Sequence, residues 1–376
     1  MKTIGIILAG GNSKKLGELS ERRATAAMPV AGSYRAIDFA LSSMSNSGIQ
    51  KVGVITQYNS KSLHEHLSSS KWWDFGRKQG GLYTFTPTLT TENEFWYRGT
   101  ADALYQNIDF LKMSHEPYVA IAAGDGIYKL NYNDVLKYHI DKGADITIIA
   151  KDMAGSDEDI TRFGIIETDE SGAVVGFEEK PEAPKTTLIS CGIYIMRRRH
   201  LISELERCAA EGKFDLVKDI ILPSMAEKSV YAYTISGYWK NINTVESYAQ
   251  VNKDFLKKEV RDYFFKQYPG IYTQVADLPP AKYNEGSAVK NSIVACGCII
   301  NGSVEDSILF KDVYVGNNVT LKNCIVLNDV YIGDNTVLEN CIVESRDTLQ
   351  PGTEYAGAEG EYKIVAEKND RYVVEE

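Results

Sequence analysis

Short apolar runs at residues 3–8, 51–56, 117–122 and 145–150 have the length and composition of buried strands. Between them, residues 101–112 and 133–142 place their apolar side chains at helical spacing. Strands alternating with helices predict βαβ units on a mainly parallel sheet, a Rossmann-like α/β domain. Ligands of such sheets collect beyond the carboxyl ends of the strands, so the residues that follow each run carry the chemistry. The rhythm stops at residues 268–282, where Pro269-Gly270 and Pro279-Pro280 break helix and strand alike.

A shorter period then takes over. Val313-Tyr-Val-Gly-Asn-Asn-Val-Thr-Leu-Lys-Asn-Cys-Ile-Val326 is echoed by Val330-Tyr-Ile-Gly-Asp-Asn-Thr-Val-Leu-Glu-Asn-Cys-Ile-Val343, and Asn291-Ser-Ile-Val294 and Asp306-Ser-Ile-Leu309 keep similar phase. Aliphatic positions recurring about every six residues, with Gly, Asn and Asp at the corners, predict a left-handed β-helix of hexapeptide repeats. Its ladder, including Ile293, Ile308, Val315, Ile325, Ile332 and Ile342, is expected to stack inward. The pattern divides the chain into an α/β domain at 1–255, a linker at 256–285 and a β-helix at 286–376.

Composition narrows the picture. The 376 residues suffice for a large domain and a smaller one, and a charged fraction of 24% argues against disorder. A net charge of −10 disfavours nucleic acid or an anionic membrane as partner, so a phosphate ligand needs locally placed positive charge. No apolar run approaches membrane-spanning length, and the opening apolar stretch runs into Ala9-Gly10-Gly11 as a strand would. Six cysteines are sparse for this length, which points to a reducing cytoplasm. Cys296, Cys298, Cys324 and Cys341 fall in the repeats, where no histidine accompanies them. They are expected to be small ladder residues rather than a metal site. The missing histidine also removes the base that an acyltransferase reading of the repeats would need.

The candidate chemistry begins after the first strand. Gly10-Gly11-Asn12-Ser13-Lys14-Lys15 offers main-chain N–H groups that a phosphate can approach closely. By itself the pair of glycines is a weak signal, but other segments follow in order. They are Ser33-Tyr-Arg-Ala-Ile-Asp-Phe39, Ser45-Asn-Ser-Gly-Ile49, Thr56-Gln-Tyr-Asn-Ser-Lys-Ser-Leu63 and Trp96-Tyr-Arg-Gly-Thr-Ala-Asp-Ala103. Gly124-Asp-Gly-Ile-Tyr-Lys129, Phe177-Glu-Glu-Lys-Pro181 and Ser190-Cys-Gly-Ile-Tyr194 complete the set. Together they closely resemble the bacterial ADP-glucose pyrophosphorylases (glucose-1-phosphate adenylyltransferases) across nearly the whole chain.

The resemblance implies a reaction joining ATP to glucose 1-phosphate with release of pyrophosphate. In the family, Mg²⁺ held by two carboxylates neutralises charge while the sugar phosphate attacks in line. Carried over position by position, Glu179, Lys180, Ser190, Tyr97 and Asp215 match the sugar-phosphate side. Bland alternatives stand beside them: Glu179 and Lys180 a surface pair, Ser190 a strand end, Asp215 a helix cap. Asp125 matches the first metal carboxylate, and with Lys180 it would carry whatever catalysis remains. Gln57, Trp96 and Arg35 match segments that the family uses for allosteric control, with sugar phosphates as the implied effectors.

The nucleotide and metal side departs from the family's pattern. Where the family has Gly-Gly-x-Gly-Thr-Arg-Leu, this chain has Gly10 and Gly11 but then Ser13, Lys14 and Lys15. Lys15 keeps charge but loses the planar fork that grips phosphate through two bonds. Thr25 replaces a lysine, and in Tyr238-Trp-Lys-Asn-Ile-Asn-Thr244 Asn241 stands where the second metal carboxylate belongs, with Asn243 replacing a glycine beside it. A unit-charge contact is worth roughly 4 kcal/mol at an effective dielectric near 20, on the order of a thousandfold in rate. Neighbouring Lys240 would weaken a metal further, so Mg²⁺ binding is expected to be weak or absent. The combination resembles the GlgD-type regulatory subunit, partner of an active GlgC-type subunit, with homo-oligomers open to the isolated chain. Competing readings are a self-sufficient adenylyltransferase in which Lys14, Lys15 or Lys240 supplies the lost contacts, an enzyme using uridine or guanosine triphosphate, and a sugar-phosphate sensor without turnover.

Overall fold

A computed structural model describes residues 3–11, 13–76, 80–88, 95–156, 158–358 and 360–367. The chain forms two compact units, the first comprising residues 1–11, 39–60 and 67–239, the second 12–38, 61–66 and 240–376.

The first unit is built on one nine-stranded sheet. Its strands are β1 (Thr3–Leu8), β2 (Lys51–Ile55), β3 (Gly81–Phe85), β4 (Tyr118–Ala123), β5 (Ile146–Asp152), β6 (Gly164–Thr168), β7 (Val174–Glu179), β8 (Leu188–Arg197) and β9 (Val230–Ile235). They lie in the order β7-β6-β8-β4-β1-β2-β3, with β5 on β8 and β9 on β5. Only β7 and β8 run against the rest, so the sheet is mixed and mostly parallel. Ile4, Ile6, Val119, Ile121, Ile146 and Ile148 belong to its buried core, which explains the near-continuous apolar runs. Residues 101–112 do not form one helix. Helices Thr100–Gln106 and Ile108–Lys112 meet at Asn107, whose side-chain amide donates to the Ala103 carbonyl at 2.8 Å and to the Tyr97 hydroxyl at 2.9 Å. That local competition interrupts the helix.

The second unit contains three parallel five-stranded sheets of very short strands, the arrangement of a left-handed β-helix. Its corners need left-handed backbone, and asparagine and aspartate supply it: Asn291, Asp306, Asn323 and Asn340 have φ of 43°, 50°, 53° and 52°. Their side chains bond from coil to coil, Asn323 Nδ2 donating to Asn340 Oδ1 at 2.5 Å. The expected ladder divides in two. Val315 and Ile332 join Val326, Leu321 and Leu338 inside the coil. Ile308, Ile325 and Ile342 are equally buried, but each precedes an inward residue in its strand and faces outward. Gly32 covers the head of that outer row: a Cβ there would lie 2.9 Å from Ile293, at a φ of +82°. Cys298, Cys324 and Cys341 are buried in the coil interior, each thiol donating to a main-chain carbonyl. Among the described residues no helix is long and apolar enough to cross a membrane.

Leu321 is fully buried in the middle of the coil stack. Leu321→Ala is expected to cost about 2–5 kcal/mol, read as a lower midpoint in urea unfolding, whereas Lys322→Ala on the exposed face should cost under about 1 kcal/mol.

Candidate functional site

Main-chain bonds bring three of the first unit's loops side by side at the carboxyl end of its sheet. Ala9 N–H donates to the Ile55 carbonyl at 2.8 Å, Gly124 N–H to Leu8 at 3.0 Å and Thr56 N–H to Phe85 at 2.9 Å. They carry Gly10 and Gly11, Gln57, and Asp125. A Cβ on Gly10 would meet Gln57 at 3.4 Å, whereas one on Gly11 would meet nothing within 4 Å. Gly10 is thus constrained by its neighbour, and Gly11 leaves open space over the loop.

The sugar-side candidates converge on a residue that motif matching did not single out. Tyr194 is buried beneath them, and its hydroxyl is pushed up to about 12 by burial, with a hydrogen bond to Ser190 working the other way and Glu179 and Asp215 adding to the rise. The strand is irregular between Ser190 and Tyr194, and Gly192 there has a φ of +68°. Such a bulge re-aims side chains, and a glycine inside an apolar strand is the signal that could have revealed it. Lys180 pairs with Glu179 at 3.3 Å, largely exposed, and has a φ of +52°, a conformation rare for lysine. Asp215 does cap a helix: Oδ1 accepts from Val217 and Lys218 at 2.9 and 2.8 Å.

Tyr97 reaches the same group through the main chain. Its N–H donates to Gln57 Oε1 at 2.8 Å, and the Phe214 carbonyl accepts from Ala101 at 2.7 Å. The Arg98 guanidinium lies 4.0 Å over the Phe214 ring and pairs with Asp102 at 2.7 Å. Gly99 permits this approach, since a Cβ would sit 2.4 Å from the Phe214 oxygen. The sequence candidates Gln57, Tyr97 and Asp215 are therefore one connected structure, while Trp96 is 63% exposed beside it.

Asp125 stands apart. It is half-buried, and burial raises its carboxyl to about 6, with no cationic side chain among the described residues to offset the cost. In the second unit, the buried Asn241 Oδ1 has no hydrogen-bond partner among the described residues. Lys240 pairs with Asp254 at 3.1 Å, and Ser13 Oγ donates to the Asn243 carbonyl. Lys15 is exposed at the start of a 3₁₀ turn, Lys14–Ser20. Among the described residues no group of three or more His, Cys, Asp or Glu is placed to hold a metal.

The second unit also has a cavity of about 430 Å³ lined by Arg22, Arg23, Arg35, Lys61, Lys311 and Arg346, with Glu65, Asp312 and Asp329 on the same walls. Arg23 is spent on a buried ion pair with Glu344, and Arg35 donates to the Ser62 carbonyl and hydroxyl at 2.7 Å. Burial lowers the pKa of both Arg35 and Lys311; the Arg23 charge lowers that of Arg35 further, and the Arg35 charge that of Lys311. Arg346 has a φ of +62° and follows Asp312 and Asp329 at equivalent corners of the coil.

Because the folded-state pKa of Asp125 is raised, its contribution to stability is fully present below the unfolded value and lost as pH rises through about 6. Without divalent metal, Asp125→Asn should melt like the parent below pH 4, and its Tm advantage should grow to a plateau above pH 7. An unchanged difference across that range would show that the carboxyl is not strained by burial.

The family described as Nucleotidyl transferase matches residues 4–258, and that described as GlmU-like, C-terminal hexapeptide matches 278–361. The chain is similar to the glucose-1-phosphate adenylyltransferase of Clostridium botulinum (strain Eklund 17B / Type B), with 40% identity over 324 residues, 85% of this chain and 83% of that one. The enzyme of the same name from Clostridium acetobutylicum is 41% identical over 322 residues, 85% and 84% of the two chains. That of Pseudothermotoga lettingae is 39% identical over 324 residues, 85% and 76%. The chain belongs to the glucose-1-phosphate adenylyltransferase family of nucleotidyl transferases.

Proposed function

We propose that this chain is a regulatory subunit of a glucose-1-phosphate adenylyltransferase in bacterial glycogen biosynthesis, of the GlgD type, with little turnover of its own. It acts in a cytoplasmic hetero-oligomer, changing the rate or effector response of an active GlgC-type subunit. The observation that carries the reading is Asn241: a neutral amide oxygen, buried and without a partner, in the motif where the family keeps a carboxylate. When bound, Mg²⁺ would neutralise charge on the transferring phosphate. Asp125 is an acidic oxygen of the kind such an ion takes, whereas Asn241 supplies only a neutral amide oxygen where the family's motif has a carboxylate. Mg²⁺ is therefore held weakly. That Asp254 engages the Lys240 ammonium counts against its replacing lost phosphate contacts.

Sugar-phosphate effectors bind the cavity of the second unit. Arg35 and Lys311 lose part of their hold on a proton through burial, and an anion among them would restore it. Any influence on a partner needs different contacts in two of the partner's states, since association alone shifts nothing. A second reading, a sugar-phosphate sensor without turnover, is favoured by the intact group of Glu179, Ser190 and Asp215 around Tyr194.

The isolated chain should release pyrophosphate far more slowly than about 1 per second, the lower range of ordinary enzymes. A turnover number in that range would end the regulatory reading. Asn241→Asp alone should recover little; combined with Ser13→Gly, Lys14→Thr, Lys15→Arg and Thr25→Lys it should recover more than the single changes summed, because the residues act as a unit. Full recovery from the single change would put the whole defect in the metal ligand. Co-purification with an active subunit, followed by kinetics at fixed active-subunit concentration, tests the partnership. Separate elution, or unaltered rate and effector curves, would leave the sensor reading in front.

A further inference from the structure

Two departures from the family's pattern, distant in sequence, are bonded to each other. Ser13, in the phosphate loop, donates its hydroxyl proton to the main-chain carbonyl of Asn243, which lies two residues beyond Asn241. The acceptor is itself held. The N–H groups of Asn243 and Thr244 donate to Ser247 Oγ at 3.1 and 3.0 Å, and Ser247 N–H donates to Thr244 Oγ1 at 3.1 Å. This capping box starts the helix Val245–Asp254, whose Asn252 Oδ1 accepts from Ala31 N–H at 3.0 Å. Ser13 is half-buried, and its own carbonyl accepts from Leu16 N–H at 3.0 Å to begin the 3₁₀ turn Lys14–Ser20. A glycine at position 13 has no hydroxyl and could make no such bond.

We propose that the Ser13–Asn243 hydrogen bond is an autoinhibitory clasp: it pins the phosphate loop to the segment that follows Asn241, and a nucleoside triphosphate binds only when it opens. The loop must move its main-chain N–H groups onto phosphate oxygens, and the clasp holds it in one place while the triphosphate is absent. The proposal rests on the reading of this chain as a weak nucleotide-site relative, but its test needs no turnover. Loss of that reading through measured catalysis would leave the clasp to stand or fall separately.

Amide exchange of the full chain, without ligand, is measured over residues 13–20 and 241–247 for the parent, Ser13→Ala, Ser13→Thr and Asn243→Ala. ATP affinity is measured for the same four proteins in the presence of EDTA. The bond's net worth predicts opening about fivefold more frequent in Ser13→Ala, with correspondingly faster exchange and an ATP affinity tighter by up to about fivefold. Ser13→Thr keeps a hydroxyl and should behave as the parent. Asn243→Ala keeps the main-chain acceptor and should do so too. Exchange in Ser13→Ala equal to the parent's overturns the clasp. Faster exchange with unchanged or weaker ATP binding overturns its inhibitory role.

Discussion

The first unit depends on how main-chain groups are paired where its central strands end. Ala9 to Ile55, Gly124 to Leu8 and Thr56 to Phe85 are bonds between one strand's exit and its neighbour's last carbonyls. A buried strand end cannot leave such groups unpaired without a cost of roughly 1–3 kcal/mol each. Satisfying them forces the loops with Gly10, Gln57 and Asp125 to leave the sheet together. The same rule then reaches outward: Gln57 takes the Tyr97 N–H, and the Phe214 carbonyl takes Ala101. The sugar-side group thus follows from where main-chain hydrogen bonds must go.

The fold was legible wherever the pattern was local. The run at 3–8 became a strand of the same bounds, and 51–56, 117–122 and 145–150 shifted by a residue or two. Corner asparagines and aspartates announced the coil because few other residues adopt left-handed backbone cheaply. What the pattern hid was set by tertiary partners. Asn107 splits a helix because Tyr97 is there to bond it. Ile308, Ile325 and Ile342 share the period of the inward residues, and periodicity cannot tell a filled interior from a covered exterior. Tyr194 lay inside a quoted motif, yet its importance comes from side chains that distant segments bring to it. The Ser13 bond spans 230 positions, beyond any spacing rule.

The cavity of the second unit is lined by charged side chains of both signs. There the charged groups are partly satisfied within the protein, Arg23 by Glu344 and Arg35 by Ser62. Those bonds fix the guanidinium groups in place before any ligand arrives, which lowers the ordering cost of binding. The acidic walls at Asp312 and Asp329 offset part of the positive field. A ligand that combined an anion with hydroxyl donors would meet both kinds of wall, whereas a bare anion would meet only the cations.

The departures on the nucleotide side differ from simple decay in one physical respect. Loss by drift removes a useful group and leaves its surroundings unmatched. Here Ser13 has an acceptor in Asn243, and Lys240 has a counter-charge in Asp254, which Lys257 and Gln250 also engage. Reverting Ser13 to glycine would have to break its bond to Asn243, whereas Lys14 and Lys15 are exposed. Residues bonded in one network are energetically coupled, so the penalty of changing one depends on the state of the others. Asn241 differs again, its buried oxygen having no hydrogen-bond partner among the described residues. A buried acceptor left open costs free energy that a bound donor or cation would recover, which sets Asn241 apart from Ser13 and Lys240.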